Sequence, residues 1–441
     1  MPASLAPAPP RPSPLRGLLL LLCGEGFQRV LSFFAIAGLA VRLDRRDYAA
    51  LEVTLSTLLF ATLVVELGLP LLGAREVARD PGCERRLAAP ILRLQFCAAA
   101  LLVAAAWLGR ASGLLAPRLA SLLAPYATSL LLLPLLLPWA FQGRQAMEWV
   151  AAPGVVRQGV FLLLTALLVR DSGDLARLPW LEVAAVAAAA GLAQWAWRRA
   201  SPPGLRLVPA EGESSVGAGA LLREAAPMGA SQLLWVLRMF LATLVLWALV
   251  AAEEVADYAA AHRVMMVLQA VLSLYFANLY PALSRAVLGP PARLRTLLLQ
   301  SVAIAGSGAL LLALAAAVKA EGILLLIYRG NDLCNPVAAE CLRWLVLVLP
   351  LLAVRGHARM TLLAFGRGRL ELLVSLAGTV VLAVLIPWWT AARGVPGAAQ
   401  ALLAAEAVGL ALTLLALLAA WRSRAPVSPG GAVAAAPPGV P

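Results

Sequence analysis

The sequence predicts an all-α polytopic membrane protein with about twelve transmembrane helices. They form two six-helix lobes related by a pseudo-two-fold axis along the membrane normal. Three observations carry this expectation. Of 441 residues, 62% are hydrophobic and only 13% are charged, against roughly a quarter charged in a soluble domain. That leaves too little polar surface to face water, so lipid must be the solvent. Apolar runs of spanning length recur from end to end, and the mean hydropathy is +0.85. The tetrapeptide Asp-Tyr-Ala-Ala occurs at 47–50 and again at 257–260, a shift of 210 residues and close to half the chain.

The net charge of +13 does not point to nucleic acid. The arginines punctuate the apolar runs and form no stripe, as expected of basic cytoplasmic loops. The basic residues include a single lysine, Lys319, a bias of composition. The five cysteines have no zinc-binding spacing. Cys23 and Cys97 fall inside apolar runs. Cys334 and Cys341 share a hydrophilic segment, where a disulfide stays open if that loop faces an oxidising compartment.

About 20 helical residues cross the hydrocarbon. Residues 1–16 are Pro-rich and basic, a disordered cytoplasmic tail. Span 17–41 follows; it contains charges and lacks a cleavage site, so it stays uncleaved. Span 48–73 begins on the first Asp-Tyr-Ala-Ala, and spans 88–109 and 119–140 are Leu- and Ala-rich. Spans 147–169 and 179–198 complete an N-lobe of 17–199. Residues 200–222, mixing Pro, Gly, Ser and Glu, form the longest polar break and the cytoplasmic linker. The C-lobe, 223–422, holds spans 226–250, 256–280, 296–318, 338–364, 370–390 and 396–421. Trp388-Trp389 after Pro387 suits an outer aromatic belt. Residues 423–441 cannot build a core and end the chain as a disordered tail.

With both termini cytoplasmic, inner segments carry roughly twice the Arg and Lys of outer ones. Inner clusters include Arg75 and Arg79, then Arg198 and Arg199, then Arg355, Arg359, Arg367 and Arg369. Arg42, Arg45 and Arg46 are the exception, placed outside with Asp44 and Asp47. The outer segment with Glu253, Glu254 and Asp257 has no basic residue.

A shift of 210 also lays Arg75 on Arg285 and Gln28 on Arg238. Gly143-Arg144 with Glu148 overlays Gly366-Arg367 with Glu371 at a shift of 223. Two matches in the same order favour duplication. Six spans is an even number, so both halves insert the same way up, facing a central cavity.

LSFFAIAGLAVRLDRRDYAALEV (31–53), running on to VELGLPLLGAREVARDP (65–81), resembles the N-terminal signature of bacterial O-antigen-type polysaccharide flippases. The inner part of that signature falls on Gly68-Leu69, Gly73 and Arg75-Glu76. PWAFQGRQAMEWVA (138–151) and the segment 254–286 resemble further stretches of the same family. The resemblance implies the multidrug/oligosaccharidyl-lipid/polysaccharide exporter fold and alternating access. It implies a polyprenyl-pyrophosphate-linked oligosaccharide, or another anionic glycolipid, as cargo in a bacterial cytoplasmic (inner) membrane. Expected partners are that lipid-linked glycan, membrane lipids, and a glycan polymerase and other assembly proteins, with no nucleic acid.

Charges within the hydrocarbon cost about 2.5–3.5 kcal/mol each on insertion scales, so they should face inward. Arg29, Arg157 and Arg238 lie near mid-span, and Arg263 lies in the eighth span. Together they are the expected substrate-binding cationic cavity, because a guanidinium offers a planar fork of donors to pyrophosphate. Glu25, four residues before Arg29, would hold it when the cavity is empty, or would form only a structural pair. Arg263 alternatively snorkels. His262 is open as a proton switch or a packed side chain. Glu66 is open as an H+ or Na+ coupling carboxylate or as a helix-end ion pair. Arg75, Glu76 and Arg285 are expected at a cytoplasmic gate, or serve the charge bias alone. No catalytic residue, metal site or cofactor is expected, since no P-loop, metal spacing or Gly-x-Ser-x-Gly occurs. A non-enzymatic transporter is therefore the expectation. A cation-coupled drug exporter and a membrane glycan polymerase or ligase are the alternatives.

Overall fold

The computed structural model describes residues 14–79, 83–200, 217–287, 289–329 and 331–422, and these contain helices and turns with no strand. Nine segments among them are long and apolar enough to cross a membrane, from Arg45–Glu66 to Val395–Arg422. The chain is thus a polytopic helical membrane protein. The expected tails lie outside the described residues for most of their length, and so do positions 201–216 of the expected linker. The last residues of that linker already belong to a helix.

α1 (Pro14–Arg42) leads into α2 (Arg45–Glu66). Asp44 caps α2 by accepting a hydrogen bond from the Asp47 N–H at 2.8 Å. The expected single span 48–73 is broken. Leu67 and Gly68 both take left-handed backbone (φ 52 and 74), and α3 (Leu69–Arg79) follows at a new angle. The cause is a close approach: a Cβ on Gly68 would stand 2.4 Å from the Ala225 carbonyl oxygen and 2.6 Å from the Gly229 nitrogen. α4 (Glu84–Ala111) is continuous.

The expected span 119–140 is also interrupted. α5 (Pro117–Ala127) gives way to a 3₁₀ segment (Thr128–Leu136), then α6 (Pro138–Gly143). Pro125, Pro134 and Pro138 each remove an N–H that a continuous helix would use. α7 (Met147–Leu168) and α8 (Leu178–Ala200) complete the first group of helices.

α9 (Ala218–Leu249) begins eight residues before the expected span, and α10 (Ala252–Val287) follows. α11 (Pro291–Val318), α12 (Ala320–Tyr328), α13 (Pro336–Val346), α14 (Val348–Ala364), α15 (Gly368–Arg393) and α16 (Val395–Arg422) form the rest. The expected outer loop 319–337 is therefore largely helical, and span 338–364 breaks at Leu347. Cys334 and Cys341 are both free thiols. Cys334 Sγ donates to the Leu324 carbonyl at 3.3 Å.

α2 and α3 pack along α9, and α2 also packs on α10, so these helices form the seam between the two groups. The end of the bundle holding residues 42–48, 165–172 and 253–257 is called the upper end. There Asp47, Tyr48, Asp257 and Tyr258 are all buried. Arg45 pairs across the seam with Asp257, and Arg46 with Glu253. Arg42 donates to the Thr165 and Val169 carbonyls, each at 2.9 Å. These contacts account for the basic cluster that broke the loop-charge pattern: its partners are the acidic residues opposite.

The turns at the lower end fall within the second repeat. Gln145 (φ 58) and Gly366 (φ 73) both take left-handed backbone. In each turn an N–H reaches back five residues, from Ala146 to Phe141 at 2.9 Å and from Arg367 to Leu362 at 3.0 Å. The two turns thus share one backbone motif at an offset of 366 − 145 = 221, whereas the two Gly-Arg pairs lie 223 apart. Gly143 has a different task from Gly366. Its Cβ would lie 2.5 Å from Val77 Cβ, where α6 crosses α3.

The α2–α9 crossing yields the first expected result. A Cβ on Gly229 would sit 2.9 Å from the Leu67 carbonyl carbon, and backbone cannot retreat as a side chain would. Gly229→Ala should cost about 1–3 kcal/mol by overpacking. Thermal unfolding of the purified protein in detergent would show it, and an unchanged midpoint would mean the seam is looser than described.

Candidate functional site

α9, α10, α14, α15 and α16, with Leu71 of α3, enclose a cavity of about 1050 Å³. Its polar wall is built by helical spacing. Arg355 and Arg359 are four apart on α14 and share a face. Between them Gly356 makes room for Phe276, whose Cζ would lie 2.2 Å from any Cβ there. On α16, Glu406, Gly409 and Thr413 line one stripe. A Cβ at 409 would stand 2.8 Å from an Arg355 terminal nitrogen, so only glycine admits that guanidinium. On α15, Glu371, Ser375 and Thr379 line another stripe, and Ser375 Oγ donates to Glu371 Oε1 at 2.8 Å.

The charges are nearly closed. Glu406, 1% exposed, accepts from two arginines. Arg238 Nη2 donates to its Oε1, and Arg355 Nη1 donates to its Oε2 at 2.8 Å. Arg355 Nε also donates to Thr413 Oγ1 at 3.3 Å. Arg359 Nε lies 2.8 Å from Glu371 Oε1, an ion pair without hydrogen-bond geometry at that nitrogen. Three guanidiniums thus face two carboxylates, and the lining keeps one net positive charge. The buried Nε–H of Arg238 has no partner among the described residues, so this cation is only partly engaged.

Of the residues expected in a cationic cavity, Arg238 alone lines this one. Arg157 lies between α7 and α8, where its Nε donates to Glu182 Oε1 at 2.7 Å. Arg263 lies on the seam: its Nη2 is 2.5 Å from both oxygens of Glu52. The Tyr48 hydroxyl donates to the same carboxylate at 2.9 Å. Arg29 is exposed on α1 and makes no ion pair with a described residue. Glu25 and Arg29 are not paired with each other. Glu66 is half-buried at the α2–α3 break with no ion-pair partner among the described residues. His262 is a packed ring: it stacks on Tyr258 at 5.6 Å and meets Phe240 edge-on at 5.9 Å. At the lower end Arg75 Nε donates to Glu76 at 2.9 Å, and its Nη2 donates across the seam to Glu224 of α9. The Arg285 side chain lies outside the described residues.

Sequence reasoning missed Glu406, Arg355, Arg359 and Glu371 as site residues. Arg355 and Arg359 had been counted among cytoplasmic loop charges; α14 instead carries them into the cavity, with Arg355 6% exposed. The signal was present in Glu406, the lone acid within the apolar run 396–421.

The fold of this broken-helix bundle has known counterparts. An inward-facing multidrug resistance MATE family transporter of the MOP superfamily superposes with a TM-score of 0.72. It is 14% identical, over 92% of this chain and all of the other. A MOP superfamily transporter from Pyrococcus furiosus gives 0.66 at 14% identity, over 92% and 94%. The lipid II flippase MurJ in an inward closed conformation gives 0.67 at 12% identity, over 91% and 87%. The described residues thus have the fold of these membrane transporters. No curated protein matches the sequence. The chain belongs to the polysaccharide biosynthesis protein family, which matches residues 15–287 and so well over half its length.

Proposed function

We propose that this protein flips a polyprenyl-pyrophosphate-linked oligosaccharide, or another anionic glycolipid, across the cytoplasmic membrane by alternating access. In this reading there are twelve spans in two six-helix lobes, 17–199 and 223–422, related by an axis along the membrane normal. Both termini are cytoplasmic, and the lower end of the bundle faces the cytoplasm. Membership of the polysaccharide biosynthesis family supports a glycan cargo, and the MOP architecture supports transport without chemistry on the cargo. The upper-end seam would be the closed outer gate. H+ or Na+ coupling and contacts with a glycan polymerase belong to the same reading.

The observation that carries it is the cavity of about 1050 Å³ with three arginines set against two carboxylates. That volume exceeds what small-molecule sites need, roughly 300–1,000 Å³, and the surplus charge favours an anion. A cationic drug would find both carboxylates already held by guanidiniums.

Arg238 is the best probe, because its removal leaves Glu406 still paired with Arg355. A charged hydrogen bond contributes about 1.5–3 kcal/mol, so Arg238→Ala should reduce flipping about 10- to 100-fold, and Arg238→Lys by less. The assay is translocation of a prenyl-pyrophosphoryl oligosaccharide in proteoliposomes at equal protein content. Full activity in both variants would remove the cavity from the reading, and Arg29→Ala in the same assay tests the exposed arginine on α1.

A further inference from the structure

We propose that Glu406 is a proton-accepting site that fills when an anionic ligand takes its two arginines. The inference rests on the proposed reading of the cavity and adds a second, smaller ligand to it.

Glu406 is buried in the cavity wall and, among the described residues, is held by two arginines that also line it. Arg238 meets it through one terminal nitrogen, and its buried Nε–H has no partner among the described residues. Its Nη1 lies beside Gly378, where even an added Cβ would be at ordinary contact distance, 3.7 Å. The fork is therefore partly uncommitted and has room to turn toward a guest. Arg355 is tethered further, to Thr413 at 3.3 Å, so Arg238 is the one expected to leave first.

A pyrophosphate esterified at both ends carries two charges that do not titrate near neutral pH. The lining holds three guanidiniums and two carboxylates. Arg359 keeps Glu371. If Arg238 and Arg355 turn to the ligand, their two charges are matched by its two. Glu406, 1% exposed here, would then stand as a buried carboxylate with no cation. Burying an unpaired charge costs far more than neutralising it. One proton on Glu406 closes every pair: Arg359 with Glu371, two arginines with the ligand, and a neutral acid behind them.

The charged groups near Glu406 are few. α9 brings Arg238, α14 brings Arg355 and Arg359, and α15 brings Glu371. α10 brings the uncharged Gln269 to the cavity, while its Arg263 is held by Glu52. On α13, Arg343 pairs with Glu321 at 2.7 Å. The buried His357 of α14 faces Ser301 of α11 through Nε2 at 2.8 Å, and its Nδ1–H donates to the Ala353 carbonyl at 2.7 Å. None of these is free to replace the cations that Glu406 would lose.

The test is calorimetric titration of the full-length protein in detergent with a prenyl-pyrophosphoryl monosaccharide. It is run in two buffers of different ionisation enthalpy and over a range of pH. The expected result is uptake of about one proton per ligand, with affinity rising up to tenfold for each pH unit lowered. Glu406→Gln, checked for folding by its elution profile, should bind without taking up a proton. Binding by the wild type with no buffer dependence would overturn the proton site and leave the flippase reading standing. An absence of binding in the wild type would overturn both. The same titration with inorganic pyrophosphate, corrected by the Glu406→Gln variant for the probe's own protons, separates a lipid-linked ligand from a free anion.

Discussion

Replacing Glu406 by alanine should lower the unfolding free energy by about 3–5 kcal/mol. The reason is asymmetry. Arg238 and Arg355 are 8% and 6% exposed, and each would keep its charge in a low-dielectric site after losing its partner. The same physics predicts a rescue. Buried ion clusters are often no more stable than apolar side chains of similar volume. The triple variant Glu406→Leu, Arg238→Met, Arg355→Met should therefore recover most of the stability and, on the proposed reading of the cavity, lose transport. Chemical denaturation in detergent, alongside the translocation assay, separates the two effects. A single variant within about 1 kcal/mol of wild type would show that water reaches these guanidiniums freely.

The second large effect is expected at the upper end of the seam. Arg46 and Glu253 are 63% and 31% exposed, so water screens that pair and it contributes little. Glu52 is different: it is 4% exposed, takes both oxygens to Arg263, and accepts from Tyr48. Glu52→Ala would leave the Arg263 guanidinium without its carboxylate at the seam. On the alternating-access reading, a cost of about 3–5 kcal/mol, applied to the closed conformer alone, would make a rare open state the common one. Spin labels at the exposed positions Arg170 and Asp332, in a cysteine-free background, report the separation. A second, longer distance should dominate in Glu52→Ala and stay minor in wild type. An unchanged distance distribution with an unchanged melting temperature would mean the contact is not what holds the two groups of helices together.

Membrane class and helical architecture were legible in the sequence, because both follow from composition and from the length of apolar runs. The approximate place of each helix came from the same ruler. The breaks did not. Leu67-Gly68 looked like ordinary apolar helix, and only α9 lying against it required the left-handed turn. The match of two Gly-Arg pairs concealed two different reasons for glycine, one a backbone angle and the other a crossing helix.

Charge told a similar story at the site. From the sequence alone, arginines within the spans had to face inward; Arg29 is exposed on α1, whereas Arg157, Arg238 and Arg263 each pair with a carboxylate. Which carboxylate each one meets could not be read, because the partners stand 25, 168 and 211 residues away. The sequence by itself determined that this protein lives in lipid as a bundle of helices bearing buried guanidiniums, since transfer free energies depend on residue type alone. Only the tertiary structure decided which guanidiniums share a cavity and which lock a seam. Pairing energy falls steeply with distance and exposure, and both are properties of the packed helices rather than of the chain.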